Sequence, residues 1–375
     1  MSDILHYSPS VCVTHRCNLN CVYCYQKHEN LSMSFDTAKN VIEKIFNSVP
    51  KECRDIHIGF IGGEPLLEFD LIKDICEYTW KSKRNIPYIF FASTNGSVLT
   101  ESMKAWFVKN KRKFKLGLSL DGKRELHNKN RSNSFDSIDI PFFQKNYPDE
   151  GIKMTLSEHS IPRLAENIQF LHSLNLDVQG TNLAEGNFNW DDDKFLFQLS
   201  SELQKLVDFY IENPKLKVCQ MFDKNLALCE QKEPSKIKYC GIGYGADFFD
   251  VDGKRYPCPF CTPMTFSQVE LEKMAKTEFD KDENFVDEDC YNNCYLYPIC
   301  PSCAGNNFMH SGCFNKHERV KCKITKFTAL FIAELQAKKI VNGTDGFDKE
   351  RRYWTIEAIK KIKSLYFNEF RQYLG

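Results

Sequence analysis

Six short apolar or β-branched runs, most followed by a gap long enough for a helix, constrain this 375-residue chain more than any other feature. They are residues 10–14 (SVCVT), 56–61 (IHIGFI), 88–93 (YIFFAS), 115–120 (KLGLSL), 152–156 (IKMTL) and 177–181 (DVQGT). Helical periodicity fills the gaps. Asp36 is the expected N-cap ahead of TAKNVIEKIF and Asp70 ahead of LIKDICEYTW; residues 101–109 follow, then 162–174 with Leu164, Ile168 and Leu171 on one stripe. Alternating strand and helix predict an α/β fold of parallel strands with right-handed crossovers, either an open doubly wound sheet or a full or partial barrel. Six strands rather than eight point to a partial barrel, with chemistry at the C-terminal ends of the strands.

Those ends carry distinctive residues. The first run leads into HRCNLNCVYC, with Cys17, Cys21 and Cys24; the second into Gly62, Gly63, Glu64 and Pro65; the third into Thr94, Asn95 and Gly96; the fourth into Ser119, Leu120, Asp121 and Gly122. Three thiolates on one short loop can hold three corners of a cubane iron–sulfur cluster, leaving the fourth iron open to a ligand. The competing readings are a structural zinc site, which normally takes four protein ligands, and buried core thiols. For GGEP the plain alternative is a turn before a helix.

Nine of the 17 cysteines (240, 258, 261, 290, 294, 300, 303, 313 and 322) lie between residues 240 and 322. The total is odd and the start, MSDILHYSPS, lacks the basic and apolar segments of a secretory signal, so metal ligation is expected over disulfides. Lys+Arg 50 against Asp+Glu 50 leaves no net charge, which disfavours a nucleic-acid or anionic-membrane partner. No apolar run is long enough to span a bilayer. The expectation is a cytoplasmic protein. Cys12, Cys53, Cys76, Cys219 and Cys229 read as small core residues, and the acidic stretch 278–289 as a solvated connector.

The C-x3-C-x2-C loop with Tyr23 before its last cysteine resembles the signature of the radical S-adenosylmethionine enzymes. That resemblance implies a partial (β/α)6 barrel and a [4Fe–4S] cluster on Cys17, Cys21 and Cys24 whose open iron chelates S-adenosylmethionine, reductively cleaved to methionine and a 5′-deoxyadenosyl radical. It also implies cofactor contacts from Tyr23, from Gly62, Gly63, Glu64 and Pro65, whose carboxylate would receive the cofactor's amino group, and from Asn95, Ser119, Asp121 and Arg131, with His127 nearby.

The later pattern, Cys240, Gly253 and Cys258, then Cys290, Cys294, Cys300 and Cys303, then Cys313 and Cys322, resembles the SPASM domain of peptide- and protein-modifying radical enzymes. It implies two auxiliary [4Fe–4S] clusters, three clusters in all. Cys240, Cys258 and Cys303 would serve the first; Cys290, Cys294, Cys300 and Cys322 the second. The inner spacing runs x3, x5, x2 where the family has x2, x5, x3, and no cysteine lies between Cys240 and Cys258. The first cluster thus either recruits Cys261 or keeps an open iron, with Cys313 another substitute. The expected organisation is residues 1–235 as the radical barrel, 236–325 as the loop-rich iron–sulfur SPASM module, and 326–375 as C-terminal helices packed over that module.

The resemblance implies a maturase installing an oxidative cross-link, through a thioether or side-chain carbon bond, in a ribosomally made precursor peptide, with a flavodoxin or ferredoxin as electron donor. An anaerobic sulfatase maturase, which makes formylglycine, is the alternative, but that family carries an Asp directly after the cysteine matching Cys258, and here Pro259 follows. A noncatalytic iron–sulfur or zinc protein would need neither GGEP nor an open three-cysteine loop. Because the first strand begins near Ser10, leader recognition is expected to come from a separate protein or from the tail, or not to be needed.

Overall fold

The computed structural model describes residues 6–374 apart from 52, 179, 187–192, 232–239, 243–244 and 280. All six expected strands form, preceded by the two-residue β1 (His6–Tyr7): β2 (Ser10–Thr14), β3 (Asp55–Gly62), β4 (Tyr88–Thr94), β5 (Phe114–Ser119), β6 (Ile152–Leu156) and β7 (Gly180–Leu183). β7 starts three residues later than the sequence suggests. Strands β2 to β7 are parallel and adjacent in chain order. Since each right-handed crossover advances the sheet in the same direction, its helices all fall on one face, and the sheet curls as a partial barrel around the other.

Between the strands lie α1 (Phe35–Asn47), α2 (Phe69–Lys81), α3 (Glu101–Asn110), α4 (Arg124–Asn130), α5 (Ile140–Asn146) and α6 (Leu164–Ser173). Their caps differ from the sequence expectation. Ser34, not Asp36, caps α1, its hydroxyl accepting from Thr37 N; Asp36 and Asp70 instead sit in first turns, where a carboxylate faces the positive end of the helix dipole. Thr100 caps α3 in the same way, and the segment from Glu158 to Arg163 is a 3-10 turn leading into α6, because Pro162 cannot supply a helical N–H.

The two faces of the sheet have opposite character. On β5 the buried Phe114, Leu116 and Leu118 alternate with half-buried Lys115, Gly117 and Ser119; on β6 the buried Ile152, Met154 and Leu156 alternate with exposed Lys153 and half-buried Thr155. Ser93 on β4 and Asn182 on the edge strand β7 are likewise exposed. Register sets Ser93 level with Gly117, Ser119 with Lys153, and Thr155 with Asn182. One face packs the helices. The other is a polar, solvent-reached lumen, unlike ordinary parallel sheets whose faces are both covered by apolar contact.

After β7 come α7 (Asp193–Glu212) and the hairpin β8 (Phe248–Phe249) with β9 (Arg255–Tyr256); β8 pairs parallel with β2, so the cysteine-rich segment begins by extending the barrel sheet. Short helices α8 (Gln268–Met274), α9 (Glu288–Asn293) and α10 (Ala304–Ser311) follow and surround a separate apolar cluster that includes Phe248, Phe260, Phe266, Phe308 and Phe314. The last two helices, α11 (Arg319–Val341) and α12 (Lys349–Phe370), form an antiparallel pair. Residue 325 lies inside α11, which also carries Cys322.

These helices do not lie chiefly on the cysteine module. α11 packs beside α7, and α12 against α11 and the turn at residues 226–230; both join the barrel core through Phe327, Phe331, Ile362 and Phe370, and α12 touches the module where Lys361 Nζ sits 4.6 Å from the centre of the Tyr295 ring. Apolar faces drive this, since α7 buries a stripe from Phe195 to Tyr210 against α6 and α11. The acidic stretch is not wholly solvated either, because Asp287 is buried as the N-cap of α9. Cys12, Cys76, Cys219 and Cys229 are buried as expected and Cys53 is half-buried.

The facial asymmetry makes a prediction. Phe60, wholly buried with ring centroids 5.3 Å from Phe90 and 6.1 Å from Phe114, should cost about 3–5 kcal/mol on truncation to alanine. Ser93→Ala on the lumen face should stay within about 0.5 kcal/mol. Chemical denaturation of the two variants measures both.

Candidate active site

At the mouth of the lumen the loops after β2 and β3 are zipped together by main chain. Gly63 N donates to Thr14 O at 3.1 Å and Glu64 N to Arg16 O at 2.9 Å. A Cβ on Gly63 would stand 2.4 Å from Arg16 O and 2.8 Å from Cys17 Cβ, so only glycine permits this approach. Glu64, wholly enclosed, then ties β3 to β4. Its Oε1 accepts from Thr94 Oγ1 (2.8 Å) and Leu66 N (3.0 Å), and its Oε2 from Asn95 N (2.7 Å). Burial pushes its carboxyl above the usual range. Asn95 reaches back to the cysteine loop through Asn18 Oδ1 at 2.9 Å.

A second buried network holds the far end of that loop. Asp121 Oδ2 accepts from Tyr23 Oη at 2.6 Å and Asn130 Nδ2 at 3.1 Å, and Oδ1 from Thr155 N at 3.2 Å, with Arg131 Nε 3.1 Å away. Arg131 also lies over the Tyr23 ring at 5.4 Å, and Val22 N donates to Asn130 O. His127 accepts from Asp121 N through Nδ1 (3.3 Å), leaving Nε2 to Ser134 Oγ at 3.0 Å. Asp121 is thus the hub that sets the Tyr23–Cys24 segment. Ser119 stands apart from this network, half-buried beside Lys153 on the lumen wall.

Cys17 and Cys21 are half-buried and Cys24 exposed, all as free thiols. Burial raises each above the ordinary thiol range, Cys21 to about 11. The base of the loop is clamped from the cysteine module: His15 Nε2 donates to Asp250 Oδ1 at 2.6 Å, both buried, with Cys12 alongside.

The module thiols fall into two groups. Cys261 hydrogen-bonds Cys258, which lowers the Cys258 thiol, and both interact electrostatically with Cys303, as Cys303 does with Cys240. Gly305 makes this junction possible, since a Cβ there would lie 2.7 Å from the Phe260 ring between the two cysteines. Cys290, Cys294, Cys300 and Cys322 line one cavity. Cys313 is exposed after α10, its main-chain N–H donating to Ser311 Oγ at 3.2 Å. Cys261 is therefore the thiol brought to Cys240, Cys258 and Cys303. The Tyr25 ring packs at a tilt of 43° against Phe260, centroids 4.5 Å apart, joining the Cys24 loop to the Cys258–Cys261 turn.

Two features escaped the sequence reading. Lys153 was legible as the polar alternate of IKMTL. Glu185 was not: it follows β7, is raised above its usual range by burial, pairs with Lys321, and lines the same cavity of about 160 Å³ as Cys303 and Asn306. Gly186 N donates to Asn306 Oδ1 at 3.0 Å, docking the barrel on the module.

The family model "Radical SAM superfamily" matches residues 11–138. An uncharacterized protein of Methanocaldococcus jannaschii is 30% identical over 255 residues, covering 66% of this chain and 82% of its own. The chain belongs to the radical SAM superfamily. Membership makes it an enzyme that uses S-adenosylmethionine with a [4Fe–4S] cluster, and the three free thiols on one loop, none committed to a disulfide, fit that group. Among other relatives of this radical SAM enzyme, the cysteine-type anaerobic sulfatase-maturating enzyme of Clostridium novyi is 24% identical over 326 residues, 78% of this chain and 85% of that one. The fold matches native anSMEcpe with bound AdoMet and Cp18Cys peptide (TM-score 0.66, 18% identity, 92% of this chain and 100% of that one). It also matches Streptococcus suis SuiB bound to precursor peptide SuiA (TM-score 0.58, 16% identity, 84% and 76%). Among the described residues no helix is long and apolar enough to cross a membrane.

Two outcomes follow for the radical SAM loop. Gly63→Ala should displace it and lower the iron held per chain, measured by metal analysis after anaerobic reconstitution. Because the loop thiols are held protonated at neutral pH, each must release a proton to bind iron, so uptake should rise from about pH 6.5 to about pH 8.5.

Proposed function

We propose that the enzyme is a peptide maturase that closes an oxidative cross-link within a ribosomally made precursor peptide. Cys17, Cys21 and Cys24 hold the radical-generating cluster. Tyr23, Gly62, Gly63, Glu64, Pro65, Asn95, Ser119, Asp121 and Arg131 shape the S-adenosylmethionine site. Cys240, Cys258, Cys261 and Cys303 hold one auxiliary [4Fe–4S] cluster and Cys290, Cys294, Cys300 and Cys322 another, three clusters in all. The working division is residues 1–235, 236–325 and 326–375. A flavodoxin or ferredoxin supplies the electron, and a separate protein presents the leader.

When bound, these cofactors supply a 5′-deoxyadenosyl radical and, at the module, an electron acceptor. The chain does the rest. The peptide lies in the polar lumen, where Lys153, Ser93 and Asn182 offer hydrogen bonds. The zipped loops and the Asp121 network hold the reacting ends and exclude water. Each event removes a hydrogen atom to deoxyadenosyl, a proton and an electron, leaving a new carbon–sulfur or carbon–carbon bond. Glu185, whose carboxyl is raised by burial, is placed on the Cys303 cavity to take the proton.

The observation that carries this reading is the Tyr25–Phe260 contact, which sets the radical loop against the first auxiliary thiols, where a peptide radical can be oxidised as it forms. Formylglycine formation is the second reading, favoured by the relationship to sulfatase-maturating enzymes. Pro259 stands against it, having no side chain to take a proton after Cys258.

Co-expression with the short reading frames beside its gene and tandem mass spectrometry separates the two. A cross-linked peptide loses two hydrogens and keeps its sulfur; an aldehyde with its cysteine sulfur gone establishes the second reading. Cys21→Ala should abolish 5′-deoxyadenosine formation. Glu185→Gln should preserve that cleavage and lower cross-linking by about 10²-fold or more, measured as product per deoxyadenosine.

A further inference from the structure

The cysteine pattern accounts for the thiols of the second auxiliary site but not for two buried polar residues within it. Asp287 and His317 are 8% and 6% exposed. A His317 ring nitrogen, an Asp287 carboxylate oxygen and Cys290 Sγ lie within 4.8 Å of one another. One carboxylate organises all three. Asp287 Oδ1 accepts from Cys290 N and Oδ2 from His317 N, each at 3.1 Å, so the segment before α11 is pinned to the first turn of α9.

A buried imidazole beside a thiol is costly to hold unless its N–H finds an acceptor. His317 lines the same cavity as Cys290, Cys294, Cys300 and Cys322. Four thiols already complete a cubane. The imidazole is therefore a fifth polar group at a site that needs four ligands, and Cys290 Sγ lies within 4.8 Å of its ring nitrogen.

Resting on the reading of this cavity as a cluster site, we infer that His317 is a positioning residue of the second auxiliary site, its ring N–H donating to the metal-bound sulfur of Cys290 while Asp287 holds the two in register. The hydrogen bond strengthens as charge on the sulfur grows, so it favours the reduced state and raises the site's potential. The second site then takes up an electron more readily than it would without the imidazole.

The test uses the full chain with Cys17→Ala, Cys21→Ala and Cys24→Ala, which leaves only the module's clusters, reconstituted with iron and sulfide. Iron per chain is measured, and redox titration is followed by electron paramagnetic resonance. Adding His317→Leu should leave the iron unchanged and move one of two midpoints to more negative potential. His317→Gln, which keeps an N–H donor, should restore most of that shift. Unchanged midpoints in the leucine variant at full iron overturn the inference, as does loss of one cluster's iron in both variants, which would make His317 a ligand or a packing residue. Absence of any cluster signal in the starting protein overturns the cluster reading itself, and this inference with it.

Discussion

The main-chain zipper between Thr14–Arg16 and Gly63–Glu64 is the contact on which the rest of the site depends. A loop carrying three thiols on a few residues has little apolar surface of its own to bury, so local packing cannot fix it. Its position is borrowed. Two backbone hydrogen bonds reach it from β3, the Asn18–Asn95 bond from β4, and Tyr23 and Val22 are held from α4 and β5. Each bond is worth about 1 kcal/mol net, but removing one partner leaves a buried polar group unsatisfied and costs more.

The same logic explains the buried charges. Asp121 is wholly enclosed with Arg131 beside it, a pairing whose desolvation cost is offset only when every remaining lone pair is used. Here both oxygens have partners, from Tyr23, Asn130 and Thr155. The network's use is geometric specificity, because it leaves Tyr23 one orientation and so sets where Cys24 stands. His15 and Asp250 do likewise from the module side, which makes the cysteine-rich segment part of the barrel's own architecture.

Much of this was legible in the sequence, for physical reasons. Short apolar or β-branched runs with crossover-length gaps left few topologies, and the alternate residues of KLGLSL and IKMTL match the lumen's polarity. Motifs at strand ends marked the mouth of the barrel. What escaped was nonlocal or very short. The two-residue strands β8 and β9 have no periodicity to detect, and α7's apolar stripe gives no hint that α11 will cover it. Cys261 looked like one of several substitutes, because only the turn folded around Phe260 brings it to Cys303. Glu185, Asp287 and His317 gave no local signal, since their roles arise from distant segments meeting.

The central claim is that the radical formed at the Cys17–Cys24 loop acts on a peptide held in the lumen. Deuterium transfer tests it most directly. With a precursor peptide deuterated at every carbon, α-carbons included, mass spectrometry of the 5′-deoxyadenosine should show one deuterium gained per cross-link formed. Cross-linked product accompanied by deoxyadenosine with no deuterium, from peptide labelled at every carbon, would contradict the account.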